Sequence, residues 1–303
     1  YLQPVCSEEL CNVFQGLKDT AAGFDVIKPK VLKAVTDEII VPILHIANLS
    51  LKTGIFPDKL KTAVITPIYK KGSKSLIQNY RPVSVLNAMS KILERIMYNR
   101  LLSYLTKLQI LYVKQYGFRK GHSVDLAVLD VIDNILKALD NRESVVAVYM
   151  DLSKAFDTIN HSILLDKLKH YGVHGCALQW FYSYLHNRTQ MVKYNDVLSG
   201  SEKVICGVPQ GSILGPILFL LYINDLAKIS NVANFVLFAD DTNLFVKGKN
   251  IDETILKLNS ELEHVTKWFR SNLLSLNVLK TYYMVFSCGK AQVKSKSRLT
   301  VMS

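Results

Sequence analysis

No uncharged apolar run in this 303-residue sequence is long enough to cross a bilayer. The longest, Ile213–Ile223, contains Gly215 and Pro216, and a membrane helix needs about 20 apolar residues. No secretory signal opens the chain, and its first residue is Tyr1, so the sequence reads as part of something longer. The five cysteines, at 6, 11, 176, 206 and 288, are odd in number and form no Cys-x-x-Cys pair. That pattern argues against a disulfide scaffold and fits reduced thiols in an intracellular protein, nuclear or cytoplasmic. His170 and His174 stand at i, i+4 spacing near Cys176. No second ligand cluster accompanies them, so a solvated helix end is a better reading than zinc. Low-complexity tracts and internal repeats are missing too.

What is present is a globular composition, 49% hydrophobic, with a net charge of +12. The charge is concentrated. Between Lys52 and Lys120 stand 14 Lys/Arg against two acids, Asp58 and Glu94, while the rest of the chain is neutral. A basic run is usually a solvated face. One that holds the whole excess charge points to a lobe for a polyanion, nucleic acid or nucleotide phosphates, more than to a membrane surface.

The stretch Val232–Lys247 carries the sharpest chemistry. Two apolar runs, Phe235–Ala239 and Leu244–Val246, flank Asp240 and Asp241, which predicts a hairpin with carboxylates at its tip. Asp suits ordinary turns. However, a favoured two-residue hairpin would carry Asn-Gly or Asp-Gly, and no glycine is here. Adjacent like charges make sense if a divalent cation sits between them and a third carboxylate. A second acidic strand end supplies one: Val145-Val-Ala-Val-Tyr-Met150 ends on Asp151, and its continuous apolar run suggests a strand covered on both faces.

Around these strands the pattern predicts helices over 7–18, 27–49, 90–106, 123–139, 162–171, 176–185 and 251–271, with Ser123 as an N-cap. A strand over 63–69 is expected to break at Pro67. Residues 188–194 and 202–206 read as an antiparallel pair, Gly207–Pro216 as a loop opening a helix to about Ala227, and 282–287 as a last strand. The β-α-β-hairpin-α-β order implies an α+β fold with helices on one face of the sheet. No linker marks a domain boundary. Three carboxylates on neighbouring strand ends can hold two Mg²⁺ about 3.5–4 Å apart, with substrate phosphates completing the shells. One ion would activate a primer 3′-hydroxyl, and the other would hold the triphosphate and steady the pyrophosphate.

Seven stretches, in order, carry a resemblance: Ile65-Thr-Pro-Ile-Tyr-Lys-Lys-Gly72, Asn79-Tyr-Arg-Pro-Val-Ser84, Gln115-Tyr-Gly-Phe-Arg119, Asp151-Leu-Ser-Lys-Ala-Phe-Asp157, Gly207-Val-Pro-Gln-Gly-Ser212, Phe238-Ala-Asp-Asp241 and Leu276-Asn-Val-Leu-Lys280. The chain resembles the reverse transcriptase domain of a non-LTR (LINE-type) retrotransposon, close to the jockey-like elements. Each stretch alone is weak; the ordered set is specific and covers most of residues 8–290.

The resemblance implies a right-hand polymerase fold: an N-terminal extension and fingers over 1–140, a palm with an antiparallel sheet over 141–290, and the start of a thumb over 291–303. It implies RNA-directed DNA synthesis with an RNA template, a DNA primer, dNTPs and two Mg²⁺. Asp151, Asp240 and Asp241 would be catalytic and metal-binding, and Lys280 would protonate pyrophosphate, though an ordinary exposed lysine is nearly as good a reading. Lys70 and Arg81 would reach the triphosphate, with Lys71 a rival to Lys70. Phe156 would lie under the sugar as a gate against a 2′-hydroxyl, or else be a core phenylalanine. Gln210 and Gly211 would line the nucleotide and template pocket. Phe238 stands where tyrosine is commoner, and the glycine-proline-rich turn expected near Gly23 is reduced to Ala22-Gly-Phe-Asp25. Two alternatives stay open: an intron-type or telomerase-like reverse transcriptase, and a non-catalytic nucleic-acid-binding relict.

Overall fold

The computed structural model describes residues 2–288. The chain opens with α1 (Ser7–Gln15), α2 (Pro29–Ala34) and α3 (Thr36–Thr53). Pro29 is the first residue of α2, where its missing N–H costs nothing. The single helix expected over 27–49 is divided at Val35, and α3 runs on through Pro42 to a left-handed Gly54 cap. Strands β1 (Thr62–Tyr69) and β2 (Tyr80–Leu86) precede α4 (Ala88–Lys107) and α5 (Val124–Asp140). As predicted, Ser123 caps α5, its Oγ accepting from Leu126 N at 3.2 Å. Next come β3 (Ser144–Met150), α6 (His161–His170), α7 (Gly175–Leu185), β4 (Arg188–Tyr194), β5 (Val197–Leu198) and β6 (Glu202–Val204). Then α8 (Gly215–Ile223) stops short of Ala227; just past its end the Asn224 side chain accepts from Tyr112 N at 2.7 Å, and a 3-10 turn follows over Leu226–Ile229. The chain continues through β7 (Asn234–Phe238), β8 (Asp241–Gly248), α9 (Ile251–Ser271) and β9 (Tyr282–Phe286). The thumb expected to begin over 291–303 lies outside the described residues.

The fold is mixed α+β and forms two compact units, Tyr1–Ile110 with Ile159–Leu218, and Leu111–Thr158 with Phe219–Ser303. In the first, β1 pairs antiparallel with β2 and parallel with β4, and β5 and β6 both pair with β4. β1 does not break at Pro67. That residue faces Pro82 across the ladder, and two prolines opposite each other fit a non-hydrogen-bonded pair, where neither N–H is needed. In the core Phe56 meets Trp180 and Tyr184 edge-on at 5.3 and 5.2 Å, and those two rings stack on each other at 5.6 Å.

The second unit holds a wholly antiparallel sheet in the order β7-β8-β3-β9. Val145 and Ala147 on one face pack with Ala127, Ile135 and Ala138 of α5 and with Val236 and Phe245. Val146 and Val148 alternate to the other face and are just as buried, and α9 packs on β3 and β8. The expectation of helices on one face is therefore too narrow: β3 is covered on both sides, as its unbroken apolar run requires. Among the described residues no helix is long and apolar enough to cross a membrane.

Candidate active site

Strand register brings the acids together in the second unit. Met150 on β3 lies opposite Thr242 on β8, so the next step along that ladder sets Asp151 beside Asp241. Phe238 pairs with Asp241, leaving Ala239 and Asp240 as a two-residue turn between β7 and β8. Ala239 takes φ +54°, the left-handed conformation for which glycine is the usual choice. An alanine there costs roughly 1–2 kcal/mol. The hairpin stands where the sequence pattern put it, but its two-residue turn is Ala239–Asp240 rather than the acidic pair, with Asp241 opening β8; the missing glycine is met by backbone strain.

Asp151 is half-buried, and one oxygen, Oδ2, accepts from Lys280 Nζ at 2.6 Å and from Asn277 Nδ2 at 3.0 Å. The backbone braces this contact: Asn277 N donates to Asp151 O at 2.8 Å, and Ser153 N to Ser275 O at 2.8 Å. Lys280 is thus a member of the acidic cluster by geometry. Partial burial of the Asp241 carboxyl pushes its pKa above the ordinary carboxylate value, with the charges of Asp240 and Asp151 adding to the rise and Lys280 opposing it. The donor set suits a hard cation: carboxylate oxygens carrying mutual repulsion, with an ammonium against one of them. Among the described residues no three His, Cys, Asp or Glu side chains are grouped tightly enough to enclose one ion. That holds for the three aspartates and for His170, His174 and Cys176 alike.

Phe156 lies in the turn after Asp151, where Lys154 also takes a positive φ of +51°. Its ring stacks on Phe219 at 4.7 Å and meets Phe118 edge-on at 5.9 Å. It is half-buried rather than enclosed.

The other predicted residues belong to the first unit. Lys70 and Arg81 sit at the outer end of the β1–β2 hairpin, where Ile68 pairs with Arg81 and Lys70 N donates to Asn79 O at 2.8 Å. Both side chains are exposed. Gln210 is brought against this hairpin, its carbonyl accepting from Ser84 N at 2.7 Å. Gly211 (φ +121°) follows, and a Cβ there would collide with the Ser84 carbonyl. Its bareness serves this internal approach.

Sequence reasoning assigned no role to the groups that hold the 207–214 loop. Glu94, fully buried, accepts from Ser90 Oγ at 2.9 Å, Ile213 N at 2.7 Å and Leu214 N at 3.3 Å. Burial pushes its pKa up, and the Arg188 charge pulls against that. Arg188, equally enclosed, donates to Tyr184 O at 3.1 Å and lies over the Tyr184 ring. At the loop's other end, His161 Nε2 meets Gly207 O at 2.7 Å. A glutamate between apolar helical positions was the available signal for Glu94. Asn277 lies inside the Leu276–Lys280 stretch, but nothing in the sequence alone marks it as a partner of Asp151. The basic stretch also shrinks as a surface: Lys61 pairs with Asp58, Arg100 with Glu9, and Lys114 with Asp130, while Arg119 donates to the carbonyls of Tyr112 and Gln115.

The chain belongs to the family of reverse transcriptases (RNA-dependent DNA polymerases), whose model matches residues 68–299. Among curated proteins it is 32% identical over 301 residues to the probable RNA-directed DNA polymerase from transposon BS of Drosophila melanogaster. It is 30% identical over 295 residues to the RNA-directed DNA polymerase from mobile element jockey of the same organism. A Pol polyprotein from the R2 retrotransposable element of Popillia japonica is 27% identical over 301 residues. The first two alignments each cover 94% of this chain and 32% of the relative, and the third covers 92% and 39%. The chain therefore spans about a third of the length of the mobile-element polymerases it matches.

Proposed function

We propose that this chain is the polymerase portion of a non-LTR mobile element and that it extends a primer 3′-end with dNTPs along an RNA template. The observation that carries this reading is the β3–β8 register, which sets Asp151 beside Asp241 and Asp240 at one strand end, in a chain whose family match spans them.

Asp151, Asp240 and Asp241 are the residues that would hold two divalent ions, which when bound supply the positive charge such a transfer needs. The bond formed joins the primer 3′-oxygen to the α-phosphorus, its hydroxyl proton passing to solvent, and the bond broken, from the α-phosphorus to the oxygen bridging it to the β-phosphate, frees pyrophosphate. Lys280 has a proton to give at Nζ, for the departing pyrophosphate oxygen. Its Nζ now lies 2.6 Å from Asp151 Oδ2. Arg81 and Lys70 carry exposed positive charge for the triphosphate. Phe156, propped from two sides by rings, can exclude a 2′-hydroxyl without yielding. Gln210 and Gly211 would line the nucleotide and template pocket. The arrangement into fingers (1–140) and palm (141–290) belongs to the same proposal.

The test is extension of a DNA primer on an RNA template with Mg²⁺, beside Asp240→Asn. We expect extension by the parent and a loss of about a thousandfold or more in the variant, the value of several kcal/mol of charge stabilisation. RNA binding without extension, unchanged by the substitution and not restored by lengthening the chain as in its relatives, would sink the proposal.

A further inference from the structure

We infer that Gln115 is a positioning residue for the acidic turn, holding Ala239 so that Asp240 is fixed at the hairpin tip next to Asp241. The inference rests on the reading of Asp240 given above. The turn needs support, because Ala239 occupies a conformation that side chains rarely adopt, and such residues persist only where their surroundings over-determine them.

The support comes from residues 114–117. Leu237 N donates to Lys114 O at 2.9 Å and Tyr116 N donates to Leu237 O at 2.8 Å, so this segment runs beside β7 as a short parallel edge. The Gln115 side chain, 2% exposed, turns toward the tip of the hairpin. Its Oε1 accepts from Ala239 N at 3.0 Å and from Gly117 N at 2.8 Å. One oxygen thus ties the first turn residue to the neighbouring segment. Gly117 closes the same joint: a Cβ there would collide with the Ala239 backbone, so the segments can approach this closely only without a side chain.

The other end of the amide separates positioning from plain stability. Gln115 Nε2 is buried and has no hydrogen-bond partner among the described residues. An unmet buried donor is unfavourable, and a leucine of similar volume would remove it. What glutamine supplies there, and leucine does not, is the acceptor that fixes Ala239. Asp240 is the next residue, with no slack between them.

The experiment measures Mn²⁺ binding to this chain by electron paramagnetic resonance, with thermal unfolding alongside. It uses the parent, Gln115→Leu, Gln115→Glu and Asp240→Asn. Gln115→Leu fills the space without an acceptor, whereas Gln115→Glu keeps an oxygen for both N–H groups. We expect Gln115→Leu to unfold cooperatively and to weaken the Asp240-dependent Mn²⁺ binding by about tenfold or more, and Gln115→Glu to bind close to the parent. Parent-like binding by folded Gln115→Leu overturns the inference. If Gln115→Leu fails to fold, Gln115→Glu decides: parent-like binding upholds the role of the acceptor, and weak binding by a folded Gln115→Glu overturns it. Equal binding by the parent and Asp240→Asn is a different failure, since it removes the carboxylate site and this inference with it.

Discussion

The two units rely mainly on different means to place their polar groups, although each also uses a buried side chain from far away in sequence, Gln115 in the second and Glu94 and His161 in the first. In the second, the acids come together through strand pairing: β3 and β8 fix Asp151 beside Asp241, and a two-residue turn carries Asp240. Side-chain alternation specifies that register, because a one-residue slip would turn Val145 and Ala147 away from α5. In the first, the 207–214 loop has no ladder to hold it and depends on buried side chains far away in sequence, Glu94 and His161. Backbone ladders are robust to single substitutions. A loop held by a few isolated bonds, with a buried carboxylate taking two of its N–H groups, is less so.

That contrast predicts its own largest breakage. Glu94→Ala would leave the Ile213 and Leu214 N–H groups unmet and the buried Arg188 charge without its nearby acid. The expected loss is about 3–5 kcal/mol of unfolding free energy, measured by urea denaturation. Replacing Asp151 by Asn removes a charge at an accessible strand end and should cost much less stability. If Glu94→Ala proves no more damaging than Asp151→Asn, the loop is held by its backbone after all and the comparison fails.

A smaller effect would sharpen the second unit's side. On the reading of Phe156 as a gate, Phe156→Val should relax discrimination against ribonucleotides by about 10–100-fold while dNTP insertion changes little. Single-nucleotide insertion kinetics with matched dNTP and NTP read this directly. An unchanged ratio, with a lower melting temperature, would make the Phe118–Phe156–Phe219 contacts ordinary packing.

The same difference explains how much could be read from the sequence. The hairpin and the strand ending at Asp151 follow from local apolar runs, and they stand within about three residues of expectation, the turn one residue earlier than the acidic pair. The seven ordered stretches carried the family. Long-range polar placement was not readable: nothing local says that Glu94 reaches residues 213 and 214, or that Gln115 accepts from Ala239. The helix expected over 27–49 failed at Val35 and the strand break at Pro67 did not occur, because the facing Pro82 excuses the missing N–H. Propensity is a weak prior where tertiary pairing decides.

The smallest effect concerns Asp241, and pH gives its sign. Burial and the neighbouring Asp240 and Asp151 raise its folded pKa above the unfolded value. The folded state therefore holds the proton more tightly, and ionisation works against folding. Below the unfolded pKa, near about 3.9, the penalty is absent; it grows as pH rises through the folded value and stays constant above it. Asp241→Asn removes the penalty. In chelator at pH 7 the variant should melt higher than the parent by roughly 1–2 °C, a small shift because the group is partly exposed to solvent screening. At pH 3 the difference should vanish, and saturating Mg²⁺ should narrow or reverse it, because the parent then gains a ligand the variant holds less well. Melting curves across pH, with and without Mg²⁺, test all three statements. A parent more stable than Asp241→Asn in chelator at every pH would mean that Lys280 already compensates the cluster, and the second unit would then place its acids for stability as the first unit places Glu94.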